Sequence, residues 1–222
     1  FLCSSFDIES AKVLENNNVS AHKIASSEIV NFDLVNFLIR TKKKIFASFG
    51  MSDIIDVKNI IKLAKKNNNK KIVLMQCVAM YPLKDNFVNL NVIKTLSKFG
   101  YSTGFSDHTA DGVASIAAVA LGAQYFEKHF TLNKEDKGPD HIFALEPNEF
   151  KLYVQNIHRA HAQLGSVKKE LVDYEKIFCR RDGLYYTSNF KKGHIINKNS
   201  LFSKRPALGV RTRDIKKILG KK

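Results

Sequence analysis

The sequence is poor in the residues and runs that would assign it to a special class. Its 222 residues include no tryptophan, four prolines and three cysteines, and the 21 acidic residues are outnumbered by 36 basic ones. The odd number and wide spacing of Cys3, Cys77 and Cys179 argue against a disulfide framework and favour a reducing, cytoplasmic setting. No apolar run approaches the roughly 20 residues of a membrane-spanning helix, and no signal-peptide pattern is found. We therefore expect no membrane partner.

The formal net charge of +15 is the other departure from an average composition. The lysines are spread along the chain, on predicted helix exteriors and in turns such as NNNKK (67–71). No basic segment alternates with stacking aromatic residues, which a single-strand nucleic-acid surface would need. We expect no nucleic-acid partner and attribute most of this charge to solvated faces.

Apolar, strand-like runs alternate with helix-like segments up to residue 165. The runs begin about 22 to 30 residues apart, at 20–26, 43–50, 70–81, 100–107 and 122–130, after a first strand-like run, FLCSSF (1–6). Helices are predicted at 31–41, 51–68, 87–99, 110–122 and 147–165. This alternation predicts a parallel sheet with helical crossovers. No glycine-rich dinucleotide motif follows any strand, so a (β/α)₈ barrel of the TIM type is favoured over a Rossmann fold.

The pattern changes after Gly165. Short strand-like pieces and turns replace the helical crossovers, which indicates a second, smaller domain. We predict a barrel portion at 1–166, a charged linker at 167–178 and the beginning of a small domain at 179–222.

Polar residues follow the apolar part of each strand. The set comprises Lys23, Ser26, Ser27, Glu28, Ser48, Gln76, Tyr81, Ser106, Asp107, His108, Glu127, Lys128 and His129. Since the carboxyl ends of barrel strands meet at one mouth, we expect them to converge there. A single serine after a strand is equally typical of a helix cap, and a single histidine of a structural hydrogen bond.

His108 and His129 end neighbouring predicted strands. Together they could bind one metal ion, with the adjacent carboxylates of Asp107 and Glu127 orienting the two imidazoles. Imidazole combined with oxygen ligands suits Mn, Fe, Co or Zn better than Ca.

Five segments strongly resemble the N-acetylneuraminate (sialic acid) synthase family. They are KIASSE (23–28), QCVAMYP (76–82), GFSDHT (104–109), EKHFT (127–131) and GPDH (138–141). RRDGLYYTSNFKKG (180–193) and SKRPALG (203–209) resemble the start of that family's C-terminal antifreeze-like (SAF) domain. The resemblance implies a (β/α)₈ barrel without its first two βα units, followed by part of an SAF domain.

The same resemblance implies roles for individual residues. His108 and His129 would bind a divalent metal, with Mn²⁺ as the first choice and Mg²⁺ or Co²⁺ as alternatives, and Glu28 would be the carboxylate near the reacting carbons. The remaining substrate contacts would be Ser4, Lys23, Ser26, Ser48 and Ser106 to phosphoenolpyruvate, Tyr81 and Asp140 to the sugar, and Arg205 to the N-acyl group of a substrate bound in the partner subunit.

The implied reaction condenses phosphoenolpyruvate with N-acetylmannosamine or a related N-acyl hexose and releases phosphate. The family forms homodimers with crossed C-terminal domains, so we expect a homodimer, and we expect residues 1–222 alone to be inactive. A pseudaminic or legionaminic acid synthase with the same chemistry is one alternative. Another metal-dependent aldolase or hydrolase barrel is a second, and a truncated, non-catalytic family member is a third.

Overall fold

The structure, a computed structural model, describes residues 1–178 and 181–222. The described residues form two compact units, Phe1–Gly165 and Ser166–Lys222. Cys179 and Arg180 lie outside the described residues, and so does the predicted start of the small domain at 179. No helix in the described ranges is long and apolar enough to cross a membrane.

Helices and strands alternate through the first unit. They are α1 (Ile8–Asn16), β1 (Ala21–Ile24), α2 (Phe32–Arg40), β2 (Lys44–Ser48), α3 (Ile54–Lys66), β3 (Ile72–Cys77), α4 (Val92–Ser97), β4 (Ser102–Asp107), α5 (Val113–Ala120), β5 (Tyr125–Lys128) and α6 (Pro147–Leu164). The strands form one parallel sheet in the order β1-β2-β3-β4-β5, which confirms the predicted α/β class and the parallel pairing.

The first predicted strand is reduced to a single bridge. FLCSSF contributes only the parallel pair Ser4↔Lys23 beside β1. The chain leaves the sheet at once because Asp7 caps α1, its side chain accepting a hydrogen bond from the Ser10 amide at 2.7 Å. At the other edge Phe130 forms a similar bridge to Leu145. The prediction of a full strand at residues 1–6 is therefore wrong.

The sheet is strongly curled. Four strand spacings separate β1 from β5, which would place them about 19 Å apart in a flat sheet. Instead Lys23 of β1 and Glu127 of β5 approach to 3.5 Å between Nζ and Oε2. The sheet is thus a half-barrel whose concave face brings side chains of distant strands together.

The outer, convex face of the half-barrel carries much of the apolar core. Ile45 and Ala47 of β2 point outward and are fully buried in one cluster with Leu34 and Leu38 of α2. The helix begins where the sequence predicts, because the Asn31 side chain accepts a hydrogen bond from the Leu34 amide at 3.3 Å. Apolar burial on the outside leaves the concave side for polar groups.

The second unit contains α7 (Asp173–Phe178) and an antiparallel pair of strands, β6 (Gly183–Tyr186) and β7 (Leu201–Lys204). Short 3₁₀ turns span Lys198–Ser200 and Thr212–Lys217. The stretch predicted as a linker thus contains a short helix.

Candidate active site

Four strands contribute polar side chains to one cluster on the concave face. We call Lys23, Ser48, Ser106 and Glu127 the inner cluster. The Lys23 ammonium donates to Ser48 Oγ at 2.9 Å and lies 3.5 Å from Glu127 Oε2. Ser106 Oγ donates to Glu127 Oε1 at 3.0 Å. The sheet curl therefore joins residues of β1, β2, β4 and β5 into one hydrogen-bonded group.

The inner cluster is buried at its cationic end and open at its acidic end. Lys23, Ser48 and Ser106 are buried, whereas the Glu127 side chain is 42% exposed. A buried ammonium with hydroxyl donors beside it is the arrangement that binds phosphate or carboxylate groups.

The imidazoles of His108 and His129 lie next to each other, with ring centroids 5.3 Å apart. His108 Nδ1 is 2.8 Å from the Val78 carbonyl oxygen. Because a carbonyl only accepts, Nδ1 must donate, which leaves Nε2 with a free lone pair. Burial lowers the pKa of His108, so the neutral ring that a metal requires is favoured.

The geometry of the two histidines fits one divalent ion. Two imidazoles that bind an ion through nitrogens at about 2.1 Å have centroids roughly 4.5–5.5 Å apart, which matches the observed separation. Within residues 1–178 and 181–222, no group of three or more His, Cys, Asp or Glu side chains converges on a possible metal position. The remaining ligands would be oxygens of water and substrate, as in metal sites that keep open positions for a reactant.

Tyr81 and Phe143 form an aromatic wall beside the histidines. The Tyr81 ring lies 4.3 Å from His108 and 5.8 Å from His129, and Phe143 lies 5.1 Å from His129, all between centroids. Tyr81 is half exposed, and burial raises the pKa of its phenol. Asp140 Oδ2 lies 3.6 Å from His129 Nδ1. Tyr81, Phe143 and Asp140 thus lie beside the metal-compatible pair.

The two serines predicted to bind phosphate near β1 occupy the same mouth. Ser26 Oγ accepts from the Gly50 amide at 2.9 Å, and a Cβ at position 50 would approach that oxygen to 2.7 Å. Glycine is thus required for this close contact. Ser4 is paired with Lys23 through the edge bridge.

The hydrogen bond of the Glu28 carboxylate is to a residue outside the inner cluster. Glu28 ends the 3₁₀ turn Ser26–Glu28, and its carboxylate accepts from the Asn31 side chain at 3.2 Å. The carboxylate that joins the inner cluster is Glu127, which the sequence analysis expects at the mouth as an orienting group for a histidine and not as a partner of Lys23. The alternation of β5 could have identified it, since Tyr125, Glu127 and His129 share one face of the strand.

The expected orientation of the histidines by Asp107 and Glu127 is wrong. Asp107 points to the outer face, where it accepts hydrogen bonds from Thr109 and Ser115. Glu127 bonds to the inner cluster, and the group that orients His108 is the Val78 carbonyl. Side chains of consecutive strand residues point to opposite faces, so neighbours in sequence are not neighbours in the site.

Arg205 belongs to the second unit. Its side chain is 72% exposed, and its Nε donates to Asp182 Oδ1 at 3.0 Å within that unit. The exposed guanidinium is held by a single carboxylate and remains accessible to a further anion or carbonyl group.

Comparisons with known proteins agree with the curled α/β fold. A profile of the NeuB family matches residues 1–169. The N,N'-diacetyllegionaminic acid synthase of Campylobacter jejuni is 37% identical over 100% of this chain and 68% of its own length. The pseudaminic acid synthase of Helicobacter pylori is 35% identical over 99% of this chain and 65% of its own length.

A crystal structure of the N-acetylneuraminic acid synthetase from Leptospira borgpetersenii superposes with a TM-score of 0.74, at 29% identity, over 78% of this chain and 61% of that one. The chain spans about two thirds of the length of these proteins. The relatives with named activities are synthases of sialic acid-type sugars. From the profile match and these identities, the chain belongs to the NeuB family.

Proposed function

We propose that the full-length protein condenses phosphoenolpyruvate with N-acetylmannosamine or a related N-acyl hexose, forming a sialic acid-type nonulosonate and releasing phosphate. One observation carries this proposal: a buried ammonium with hydroxyl donors and a pair of metal-compatible imidazoles open onto the same concave mouth. The activities named for its relatives support the same class of reaction.

The anionic substrate fits the side of the mouth formed by the inner cluster. Lys23 supplies the charge, and Ser48 and Ser106 supply hydroxyl donors, with Ser4 and Ser26 at the rim. Lys23 is already held between Ser48 and Glu127, so little side-chain ordering remains when the phosphate arrives. The fixed charges then stabilise the phosphate dianion while the reaction proceeds.

The sugar fits the side of the mouth formed by the histidines. A divalent ion held by His108 and His129, Mn²⁺ as the first choice with Mg²⁺ or Co²⁺ as alternatives, would polarise the aldehyde oxygen of the open-chain hexose as a Lewis acid. Tyr81, whose ring is half exposed, and Asp140, beside His129, would contact sugar hydroxyls. The His108 Nδ1–Val78 hydrogen bond would leave the other ring nitrogen free to bind the ion.

The bond changes are those of an aldol-type condensation. C3 of phosphoenolpyruvate attacks the aldehyde carbon, water adds to C2, and phosphate leaves. We assign the guiding of that water to Glu28, and to Glu127 the orientation of Lys23 and Ser106. Glu28→Gln would then lower turnover with little effect on phosphoenolpyruvate binding, whereas Glu127→Gln would weaken that binding as well. The opposite pattern would exchange the two roles.

The second unit supplies a contact in trans in this proposal. We assign residues 179–222 to the beginning of an SAF domain and the protein to a cytoplasmic homodimer with crossed C-terminal domains. The exposed Arg205 would then reach the N-acyl group of a substrate in the partner subunit. Mixing full-length Arg205→Ala with full-length His129→Ala should restore part of the activity. Two inactive variants that stay inactive as a mixed dimer would refute the shared site.

Phosphate release is the direct test of the reaction. Full-length protein with Mn²⁺ and phosphoenolpyruvate should release phosphate when N-acetylmannosamine is added, and none without an aldose. The pseudaminic and legionaminic acid precursors are the second candidate substrates, because relatives at 35–37% identity carry those activities. Turnover that needs no phosphoenolpyruvate would indicate a different aldolase or hydrolase. No turnover with any of these sugars would favour a non-catalytic protein.

A further inference from the structure

A buried ion pair joins β4 to β5 on the outer face of the sheet. Asp107 and Lys128 are direct partners in the strand register, with Lys128 Nζ 3.3 Å from Asp107 Oδ2. Their side chains are 0% and 1% exposed. This pair is also the last one in the β4–β5 ladder, so it lies where regular strand pairing stops.

The carboxylate of Asp107 is saturated with hydrogen bonds. Oδ1 accepts from the amide and the hydroxyl of Thr109 at 2.8 and 2.7 Å, and Oδ2 accepts from Ser115 Oγ at 2.8 Å. Ser115 in turn lies 2.5 Å from the hydroxyl of Tyr153. The carboxylate is thereby tied to α5 and, through Ser115, to α6.

The ammonium of Lys128 is similarly enclosed. It donates to the backbone carbonyls of Thr109 and Asp111, and it lies 5.7 Å from the centre of the Tyr153 ring. The loop that follows β4 is therefore clamped onto β5 by one side chain.

Stability alone is a weak reason for such a pair. Removing two charges from water is costly, and replacing a buried ion pair by apolar residues of similar volume is often neutral or stabilising. What the pair supplies is a fixed distance and direction between two backbone segments. A network whose members are all bonded permits one arrangement of those segments.

The segments fixed in this way carry the two imidazoles. His108 and His129 each follow one member of the pair, and they point to the opposite face because strand side chains alternate. Each histidine also has contacts of its own: its carbonyl accepts from the Leu83 or Leu145 amide at 2.8 and 2.9 Å, and its ring contacts the Val78 carbonyl or Asp140. Those contacts lead to separate loops, whereas the ion pair links the two strands to each other.

We propose that Asp107 and Lys128 are positioning residues, which set the separation of His108 and His129 from the outer side of the sheet. An effect of Asp107 and Lys128 on metal binding rests on the proposed metal-binding role of the two histidines. Their effect on the separation of the two rings does not depend on that role, because the separation can be measured without metal.

The test replaces both charges at once in the full-length protein. Asp107→Leu with Lys128→Met keeps the branching of one side chain and the length of the other approximately and avoids an unpaired buried charge. Asp107→Asn with Lys128→Gln is a second, polar variant in case the first does not fold. We expect lower thermal stability, because the Thr109 amide and the Thr109 and Ser115 hydroxyls lose their acceptor, together with loss of the nuclear Overhauser effect between the His108 and His129 ring protons in metal-free protein. Mn²⁺ affinity, measured by electron paramagnetic resonance, should fall about 10- to 100-fold.

The matched control is an ion pair on the outer face near the other edge of the sheet. Lys43 Nζ lies 2.7 Å from Glu15 Oε1, and the two side chains are 26% and 27% exposed, so Glu15→Gln with Lys43→Met removes a more exposed ion pair of the same type. This control should leave both the ring contact and Mn²⁺ affinity unchanged. A folded Asp107/Lys128 variant that keeps both would overturn the positioning role. Wild-type protein that does not bind Mn²⁺ would refute the metal site. The positioning role would then be tested by whether the Asp107/Lys128 variant loses the contact between the two histidine rings.

Discussion

The inner and outer faces of the half-barrel carry polar residues at the same strand ends, but the carboxylates on the two faces differ in their exposure to solvent. On the outer face Asp107 is 0% exposed and both its oxygens accept hydrogen bonds. On the inner face Glu127, one strand away, is 42% exposed. A polar group that is buried and saturated serves the structure, whereas one that remains accessible can exchange its partner for a ligand. The comparison predicts that inner-face variants lose binding and outer-face variants lose stability or geometry.

The largest expected effect is at the inner face. His129→Ala in the full-length protein should reduce Mn²⁺-dependent phosphate release to background, because one of the two proposed protein ligands is lost. Its free energy of unfolding should fall by about 1 kcal/mol, because the side chain is 29% exposed and packs against Tyr81 and Phe143. His161→Ala on α6 is the control and should behave as wild type in both assays. Metal-dependent turnover by the His129→Ala variant would show that His129 is not needed as a metal ligand.

The next effect separates the two substrates. Lys23→Met should weaken phosphoenolpyruvate binding about 10- to 100-fold, the range expected for lost hydrogen bonds to a charged group. Sugar binding should be almost unaffected, and calorimetry with each substrate would measure both. Lys44→Met is the matched control, because Lys44 also points inward but bonds to Tyr125 at the opposite end of the strands. Equal losses for both substrates would contradict the phosphate assignment.

An outer-face variant should show the reverse pattern. Ser115→Ala removes the hydroxyl that joins Asp107 to Tyr153, leaving buried polar atoms without a partner. We expect a loss of about 1–3 kcal/mol in the free energy of unfolding, measured by urea titration. Ser97→Ala removes an exposed hydroxyl and should change stability by less than about 0.5 kcal/mol. Equal stability of the two variants would show that the outer network is not needed for folding.

The smallest effect concerns pH and a histidine on the outer side of β1. His22 is fully buried with Nε2 2.7 Å from Glu15, and burial lowers its pKa below the ordinary 6.5. The unfolded chain then binds a proton more readily than the folded protein, so stability is complete above pH 6.5 and declines as pH falls below that value. His22→Gln should flatten this decline between pH 7 and pH 5, measured by thermal unfolding. An unchanged slope would assign the decline to other groups.

Periodicity predicted most of the first unit. Five of the apolar runs form parallel strands, and the helices predicted at 31–41 and 51–68 are present as α2 and α3, capped by Asn31 and Asp53. Helix α1 was not predicted, because Ala11 is its one buried residue among those described and it lacks a wide apolar stripe. The strand expected at 1–6 was reduced to a bridge by the cap of that same helix.

The location of the candidate site could be predicted from the sequence, but only some of the residues that form it could. Strand-end positions and the family resemblance identified Lys23, Ser48, Ser106 and the two histidines. Glu127 and Asp107 are both expected to orient imidazoles, whereas Glu127 bonds to the inner cluster and Asp107 lies on the outer face, because a strand-end position does not by itself say which face a residue occupies. The contact of Lys23 with Glu127 also depends on sheet curvature, which pairs residues 104 positions apart and has no local signal in the sequence.

The strict alternation along β5 makes its length unusually intolerant of change. Deleting or inserting one residue before Glu127 would rotate every later side chain to the other face. The ammonium of Lys128 would then enter the mouth, while the carboxylate and the imidazole on either side of it would be forced into the apolar layer beneath α5 and α6. Loops of this protein can therefore vary in length during evolution, whereas the segment from Tyr125 to His129 can change only by substitution.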